Sequence, residues 1–213
     1  MSGKLGILLV DDHTIVRRGF AAFIAQAPDL ELVAETGNGE TAIKLAQAHQ
    51  QALVVVDLGL PGLSGIETIR RILQRQPEAR ILAFSQHQDS VFIGQALQAG
   101  ALGFVSKGAS PELLQQALRA LGRGETFIEE HVAERLSLGM RRRSDSPLQA
   151  LSTREFEVFC LLAAGQTVVA AARQLALSPK TIANYTTQIK LKLQVDSLAE
   201  LAHLAIRHGL LSA

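Results

Sequence analysis

Residues 52–65, ALVVVDLGLPGLSG, join an apolar run to a carboxylate and a tight turn. The apolar run at residues 53–56 predicts a strand buried on both faces, as in a parallel sheet. Asp57 ends this strand, and the glycines and the proline that follow it predict a turn. A buried strand that ends in an acid needs partners for that acid, and none lies beside it in the sequence.

The same pattern, an apolar run followed by a helical segment, occurs five times in residues 1–122. The predicted strands are residues 5–10, 30–35, 53–56, 79–84 and 102–105. The predicted helices are residues 14–26, 39–49, 64–75, 90–99 and 110–121. This alternation predicts an α/β domain with a flavodoxin-like (βα)5 fold, whose parallel sheet has the order 2-1-3-4-5.

Polar side chains follow four of the five predicted strands. They are Asp11 and Asp12 after strand 1, Asp57 after strand 3, Ser85 at the end of strand 4 and Lys107 after strand 5. The predicted strand order brings them to one edge of the sheet, where ligands bind in such folds. Clustered carboxylates repel one another unless a cation lies among them, and oxygen ligands suit Mg²⁺. Each acid read alone is more simply a helix cap, but the joint placement favours a phosphoryl-accepting site.

Residues 4–122 resemble the receiver domain of two-component response regulators. The matching motifs occur in order at predicted strand ends: VDDH (10–13), DLGLPGLSG (57–65), FS (84–85) and GALGFVSK (100–107). The resemblance implies that Asp57 is the phosphoacceptor for a partner sensor histidine kinase. It also implies that Asp12, Asp57 and the Gly59 carbonyl bind Mg²⁺, with Asp11 assisting through water.

The resemblance assigns further roles around this site. Lys107 and Ser85 would contact the phosphoryl group, and Ser85 and Phe104 match the hydroxyl and aromatic positions that move together on activation. Gly59 matches a position that tunes phosphoryl lifetime. Because glycine has no side chain, we expect it to do little to position an attacking water.

Residues 123–147 predict a linker between two domains. Within them, EEHVAERLSLGM (129–140) can form a helix with Val132, Leu136 and Met140 on one face. The segment RRRSDSP (141–147) is charged, rich in serine and ends in proline, as exposed linkers do. The arginines at 141–143 can contact DNA phosphates or form a solvated hinge, and the sequence favours the hinge.

Residues 148–213 predict a small all-α domain of four helices, at residues 154–164, 168–175, 178–193 and 197–208. Ser152 and Glu155 fit a capping box before the first helix. The second and third helices are separated by a very short turn, which predicts a helix-turn-helix arrangement. Residues 141–213 hold 9 Lys and Arg against 5 Asp and Glu, whereas residues 1–140 hold 12 against 15. A basic second domain suggests a nucleic-acid partner, although so small a contrast can arise by chance.

Helical periodicity divides the third helix into two faces. The predicted core side carries Ile182, Thr186, Ile189 and Leu193, and the opposite side carries Lys180, Asn184, Thr187 and Leu191. Small, polar and basic groups suit the major groove of DNA. Periodicity alone favours an ordinary amphipathic helix with a solvated polar face over a helix that reads DNA.

Residues 151–208 resemble the LuxR-type helix-turn-helix domain, through LSTREFEVFCLLAAGQT (151–167) and LSPKTIANYTTQIKLKL (177–193). The whole chain is thus similar to response regulators of the NarL/FixJ class, which implies a homodimer on double-stranded DNA. The implied DNA-binding residues are Lys180, Thr181, Ala183, Asn184, Tyr185, Thr187, Gln188, Lys190 and Lys192, with Ala183, Asn184 and Thr187 facing the bases.

The second domain departs from the family pattern at several positions. Val168, Val169 and Ala170 replace a stretch that usually carries Asn, Lys and Glu, and Leu191 and Leu198 stand where cations are common. Fewer cations release fewer counterions from DNA, so we expect weak binding by the monomer and a shallow dependence on salt.

Two other functions compete with a phosphorylation-controlled transcription factor. The departures favour a regulator that acts through protein contacts with weak or lost DNA readout. A phosphohydrolase using Asp57 commonly has a second acid two residues on, but Gly59 stands there, so we expect no enzyme. The single cysteine, Cys160, agrees with a reducing cytoplasm, and no apolar run reaches the length of a membrane span.

Overall fold

The computed structural model describes residues 3–86, 90–130, 132–133, 147–175, 177–208 and 210–211. The chain divides into two compact units, Met1–Ser137 and Leu138–Ala213. Among the described residues, none of the helices combines the length and the apolar character that crossing a bilayer requires.

The first unit is a parallel sheet flanked by helices. Its strands are β1 (Leu5–Val10), β2 (Leu30–Thr36), β3 (Leu53–Val56), β4 (Ile81–Ser85), β5 (Gly103–Ser106) and β6 (Phe127–Ile128). Its helices are α1 (Thr14–Ala25), α2 (Gly39–Ala48), α3 (Gly65–Arg75), α4 (Ser90–Gln98) and α5 (Pro111–Gly122). The sheet order is β2-β1-β3-β4-β5-β6, which confirms the predicted order of the first five strands.

The sixth strand differs from the sequence prediction, which placed residues 123–147 in a linker. Gly103 pairs with Phe127 and Phe104 with Ile128, so β6 extends the parallel sheet beyond β5. Two residues are too short for an alternating pattern to be recognised, which is why the sequence did not indicate this strand. Most of the predicted helix at 129–140, including Leu136 and Met140, and the arginines at 141–143 lie outside the described residues.

The central strands are buried because helices cover both faces of the sheet. All four residues of β3 are at most 1% exposed. A core cluster joins alternate residues of β1 and β3 to helices α1 and α5, and Phe20 of α1 packs edge-on against Phe84 of β4. This packing fixes the strand ends that carry the polar residues.

The second unit is all helical. It contains a short 3₁₀ helix (Pro147–Ala150), α6 (Thr153–Ala163), α7 (Val168–Gln174), α8 (Pro179–Leu193) and α9 (Leu198–Arg207). Its core includes the stacked rings of Phe156 and Phe159, 5.9 Å apart, and Ile182, Ile189 and Leu201. The capping box of Ser152 and Glu155 is present as predicted.

Candidate functional site

Asp57 lies at the carboxyl end of β3, where it is 3% exposed. Its backbone N–H donates to the Val10 carbonyl at 2.8 Å, so the acid continues the ladder with β1. Helix α3 begins directly against this turn, and a Cβ on Gly65 would lie 2.0 Å from the Asp57 carbonyl oxygen. Glycine at 65 therefore lets the helix approach the backbone of Asp57, and the Gly59 N–H donates to Asp57 Oδ1 at 3.1 Å.

Lys107 lies between two carboxylates at this edge of the sheet. Its Nζ is 2.7 Å from Asp57 Oδ2 and 2.6 Å from Asp11 Oδ2, and its side chain is only 6% exposed. The Lys107 N–H donates to the Ser85 carbonyl at 2.9 Å, which ties the loop after β5 to the end of β4. The structure thus brings together residues that lie up to 96 positions apart in the sequence.

Burial dominates the electrostatics of the candidate phosphoacceptor. Desolvation raises the pKa of the Asp57 carboxyl above its ordinary value, and the Lys107 hydrogen bond and charge offset only part of this effect. The neighbouring Asp11 charge raises the pKa of Asp57 further. A second cation beside these acids would favour their charged forms.

The acidic cluster at this edge has the composition of a site for a hard cation. Asp11, Asp12, His13 and Asp57 each offer one ligand atom, and these atoms lie within 4.8 Å of one another. Asp12 Oδ1 is buried and makes no hydrogen bond to the described residues. His13 Nδ1 lies 2.9 Å from that oxygen, and the His13 ring is more than half exposed. The carboxylate oxygens fit Mg²⁺, which prefers a few oxygen ligands and keeps several waters.

Ser85 and Phe104, the predicted switch pair, lie on the neighbouring strands β4 and β5. Both side chains are fully buried. Phe104 is paired with Ala83, two residues before Ser85. Their coupled movement stays a prediction.

Two residues that the sequence analysis did not single out support this edge of the sheet. Arg17 Nη1 donates to the Asp11 carbonyl at 2.7 Å and so holds the end of β1. Glu129, directly after β6, is buried and accepts a hydrogen bond from the Ser106 N–H. Neither could be found from periodicity, because each acts on a residue that only the fold brings near.

Helix α8 has the two faces that its periodicity predicts. Ile182, Ile189 and Leu193 are buried, and Thr186 is half-buried. The outer face exposes Lys180, Asn184, Thr187 and Leu191, as well as the flanking Ala183, Gln188 and Lys192. Thr181 and Tyr185 are half-buried. The Thr187 hydroxyl donates to the Ala183 carbonyl at 3.1 Å.

The lysines of this helix differ in how far they are engaged within the second unit. Lys190 Nζ donates to the Asp196 carbonyl at 2.8 Å, and Lys192 Nζ lies 2.6 Å from Glu155 Oε2. Burial acts to raise the pKa of Glu155, but the Lys192 and Ser152 hydrogen bonds lower it below its ordinary value. Lys180 is exposed and makes no ion pair with the described residues. Of the three lysines, Lys180 is therefore the most available to a partner.

Four of the five positions that depart from the family pattern are exposed, and the fifth, Val168, is half-buried. Val169 is 53% exposed at the start of α7, and Ala170 is also exposed. Leu191 is 68% exposed on the outer face of α8, and Leu198 is 45% exposed at the start of α9. Val169, Leu191 and Leu198 therefore leave apolar surface open to solvent.

Two family models match the chain. The response regulator receiver domain matches residues 7–119, and the luxR family of bacterial regulatory proteins matches residues 149–205. The first match contains the acidic cluster and Lys107, and the second contains helices α6 to α8 and most of α9.

Relatives and solved structures match nearly the whole chain. The transcriptional activator protein ExaE of Pseudomonas putida is 45% identical over 210 residues, which are 97% of this chain and 98% of the relative. The response regulator GacA of Pseudomonas aeruginosa is 35% identical over 209 residues, with 97% and 98% covered. A structure of the RcsB response regulator of Salmonella typhimurium has a TM-score of 0.67 at 27% identity and covers 95% of this chain and 98% of that one.

A LuxR-family two-component response regulator from Aurantimonas is similar as well, with a TM-score of 0.62 and 38% identity over 67% of this chain and all of that one. The two family models match one unit each, in the order in which the units follow along the chain. The chain therefore belongs to the two-component response regulators of the NarL/FixJ class, which regulate transcription through a phosphorylated receiver and a LuxR-type DNA-binding domain.

Proposed function

We propose that a partner sensor histidine kinase phosphorylates Asp57, and that this modification controls dimerisation and sequence-specific binding to double-stranded DNA. The observation that carries the proposal is the contact of Lys107 Nζ with both Asp57 Oδ2 and Asp11 Oδ2 at the end of the sheet. The RcsB–DNA complex among the similar structures supports DNA as the partner. A regulator that acts on DNA and takes its signal from such a kinase works in the cytoplasm.

The geometry supports nucleophilic attack by Asp57 on phosphorus. An Asp57 carboxylate oxygen forms the new O–P bond while the bond from phosphorus to the donor breaks, and the electron pair leaves with the donor. The Gly59 N–H fixes Oδ1, and Lys107 stays beside the oxygen that gains the phosphoryl group. Positioning and charge stabilisation account for most of the catalysis in phosphoryl transfer.

Asp11, Asp12, Asp57 and the Gly59 carbonyl would hold Mg²⁺ at this site. When bound, the ion neutralises charge on the phosphoryl oxygens. Lys107 and the Ser85 hydroxyl would then contact those oxygens, and Ser85 would move together with Phe104. The reaction modifies the protein itself, and it turns over no outside substrate.

We predict that Gly59→Asn and Gly59→Glu shorten the lifetime of the phosphorylated state. A Cβ at 59 would lie 3.7 Å from Asp57 Oδ1, an ordinary contact, so a side chain fits beside the carboxylate. A polar group there can orient the water that attacks phosphorus, and assistance of this kind speeds a reaction by roughly a hundredfold or more. Decay of the label on the full-length protein measures the effect, with Gly59→Ala as the matched control. An unchanged decay rate in both polar variants would contradict this role for Gly59.

Helix α8 is the proposed recognition helix. Ala183, Asn184 and Thr187 would face the bases, since Asn184 can bind adenine with two hydrogen bonds and the Thr187 methyl can contact thymine. The polar and basic residues around them (Lys180, Thr181, Tyr185, Gln188, Lys190 and Lys192) would contact phosphates or flanking bases. The exposure of Lys180, Asn184 and Thr187 on one side of the helix supports this placement.

We predict that Leu191→Lys strengthens DNA binding and steepens its dependence on salt. Leu191 is 68% exposed on the proposed DNA-facing side, so the substitution adds a cation without disturbing the core. One further phosphate contact makes the negative slope of log affinity against log salt steeper by about 0.9. Titrations of the phosphorylated full-length protein at several salt concentrations measure the slope. Leu191→Gln is the neutral control, and equal slopes for the two variants would place position 191 away from DNA.

Selection of bound DNA from a random pool, with the phosphorylated full-length protein, tests the proposed function. We expect enrichment of paired half-sites, because a dimer reads two copies of one sequence. If no sequence is enriched, the protein acts through contacts with other proteins and not through sequence-specific DNA binding. The exposed Val169, Leu191 and Leu198 are the observation that favours this second candidate.

A further inference from the structure

Glu129 is a buried acid outside the five strand–helix repeats. It follows β6 directly and is only 3% exposed, whereas the next residue, Glu130, is exposed. A carboxylate withdrawn from water is costly unless it accepts hydrogen bonds. Its burial therefore calls for hydrogen-bond donors close to the carboxylate, and one such donor is on β5.

The Glu129 carboxylate completes the hydrogen bonding of β5 where β6 ends. The last pair between these strands joins Phe104 to Ile128, two residues before the end of β5. The Ser106 N–H lies beyond that pair and donates to Glu129 Oε1. The side chain thus replaces a carbonyl that a longer β6 would have supplied, and a charged acceptor makes this a strong hydrogen bond.

This bond lies one residue from Lys107. On the β4 side, the Lys107 N–H donates to the Ser85 carbonyl at 2.9 Å. On the β6 side, Glu129 holds Ser106, and the Ser106 hydroxyl accepts from the Gly108 N–H at 3.1 Å. The backbone that carries Lys107 is therefore fixed from both neighbouring strands.

Glu129 also begins the turn that leads out of the sheet. Its carbonyl accepts from the N–H groups of Val132 and Ala133, at 3.0 and 2.9 Å, and Val132 is fully buried. One residue therefore contacts the loop of Lys107 through its side chain and the outgoing segment through its backbone.

We propose that Glu129 is a positioning residue for Lys107 and that it couples the phosphoryl site to the segment leaving the receiver. The proposal rests on the proposed role of Asp57 and adds a residue that this role does not require. When Lys107 follows the new phosphoryl oxygens, the Ser106 N–H shifts with it and changes its bond to Glu129. Coupling of this kind is reciprocal, so a change at Glu129 also changes phosphorylation.

The test compares Glu129→Ala and Glu129→Gln with the matched control Glu130→Gln, all in the full-length protein. The rate of phosphoryl uptake from acetyl phosphate with Mg²⁺ is measured by intact mass. We expect Glu129→Ala to be slower by roughly tenfold to a hundredfold, the usual cost of a small displacement of a catalytic group. Glu129→Gln keeps an oxygen acceptor and should stay within about threefold of the unchanged protein, as weaker neutral hydrogen bonds remain. Glu130→Gln should match the unchanged protein.

Hydrogen exchange separates positioning from a general loss of stability. In the unchanged protein, phosphorylation should alter the exchange of the N–H groups of Ser106, Val132 and Ala133 together. In Glu129→Ala, phosphorylation should alter the hydrogen exchange of the Ser106 N–H, but it should leave the exchange of the Val132 and Ala133 N–H groups unaffected. If Glu129→Ala does not fold, Glu129→Gln is the deciding variant. In Glu129→Gln, phosphorylation should still alter the exchange of all three N–H groups together, but by less than in the protein without substitutions.

The inference is overturned if Glu129→Ala takes up the phosphoryl group as fast as Glu130→Gln. It is also overturned if phosphorylation of the protein without substitutions does not alter the hydrogen exchange of the Val132 and Ala133 N–H groups. Failure of the proposed function has a different signature, since the protein with no substitution would then take up no phosphoryl group at Asp57.

Discussion

The Asp57→Asn protein is expected to take up no phosphoryl group from acetyl phosphate, whereas the unchanged protein gains one. Asparagine keeps the shape of the side chain and can still accept from the Gly59 N–H, but its amide lacks the nucleophilic oxygen beside Lys107. The loss is therefore complete rather than partial, because no other group of the described cluster takes the place of Asp57 in the sheet.

Intact mass and peptide mapping of the labelled protein measure this prediction. Asp29→Asn is the matched control, since Asp29 is an exposed acid of the same unit and pairs with Arg119 at 2.8 Å. Thermal unfolding of both variants shows whether the receiver stays folded. If Asp57→Asn took up a phosphoryl group at the same rate as the protein without substitutions, the phosphoacceptor would be another residue.

Replacement of Lys107 by glutamine has the second-largest expected effect. Lys107 Nζ contacts Asp11 and Asp57 within 2.7 Å, so its loss leaves two buried carboxylates facing one another. The developing charge on the phosphoryl oxygens also loses a fixed cation. Removal of one such group from a buried site slows the reaction by roughly a hundredfold or more.

The rate of label uptake by full-length Lys107→Gln, at saturating Mg²⁺, measures this effect. Lys44→Gln is the control, because Lys44 is exposed on α2 of the same unit. If Lys107→Gln takes up the label at a rate within about twofold of the control, the decrease in rate is far smaller than the removal of a buried charge predicts. Lys107 would then have only a structural role.

The sequence indicates the sheet and its polar edge because both depend on local patterns. Apolar runs mark β1 and β3 to β5, and the residues after them mark the strand ends. Strand order follows from general rules for parallel sheets, so the approach of Asp11, Asp57 and Lys107 could be expected before their distances were known.

The supporting contacts could not be predicted in this way. Glu129 contacts Ser106 because β6 ends two residues before β5 does, a detail of register that two residues of sequence do not encode. The ion pair of Lys192 with Glu155 joins positions 37 residues apart, through the packing of α6 on α8. Periodicity correctly separates the faces of α8, but it does not show which exposed lysines have partners within their own domain.

The decisive measurement is the affinity of the full-length protein for its selected DNA, with and without acetyl phosphate. We expect phosphorylation to tighten binding by roughly 5- to 150-fold, the usual range of coupling between two sites. For Asp57→Asn we expect no change in affinity when acetyl phosphate is added. Equal affinities for the phosphorylated and unphosphorylated protein, or an equal response of Asp57→Asn, would contradict control of DNA binding by phosphorylation of Asp57.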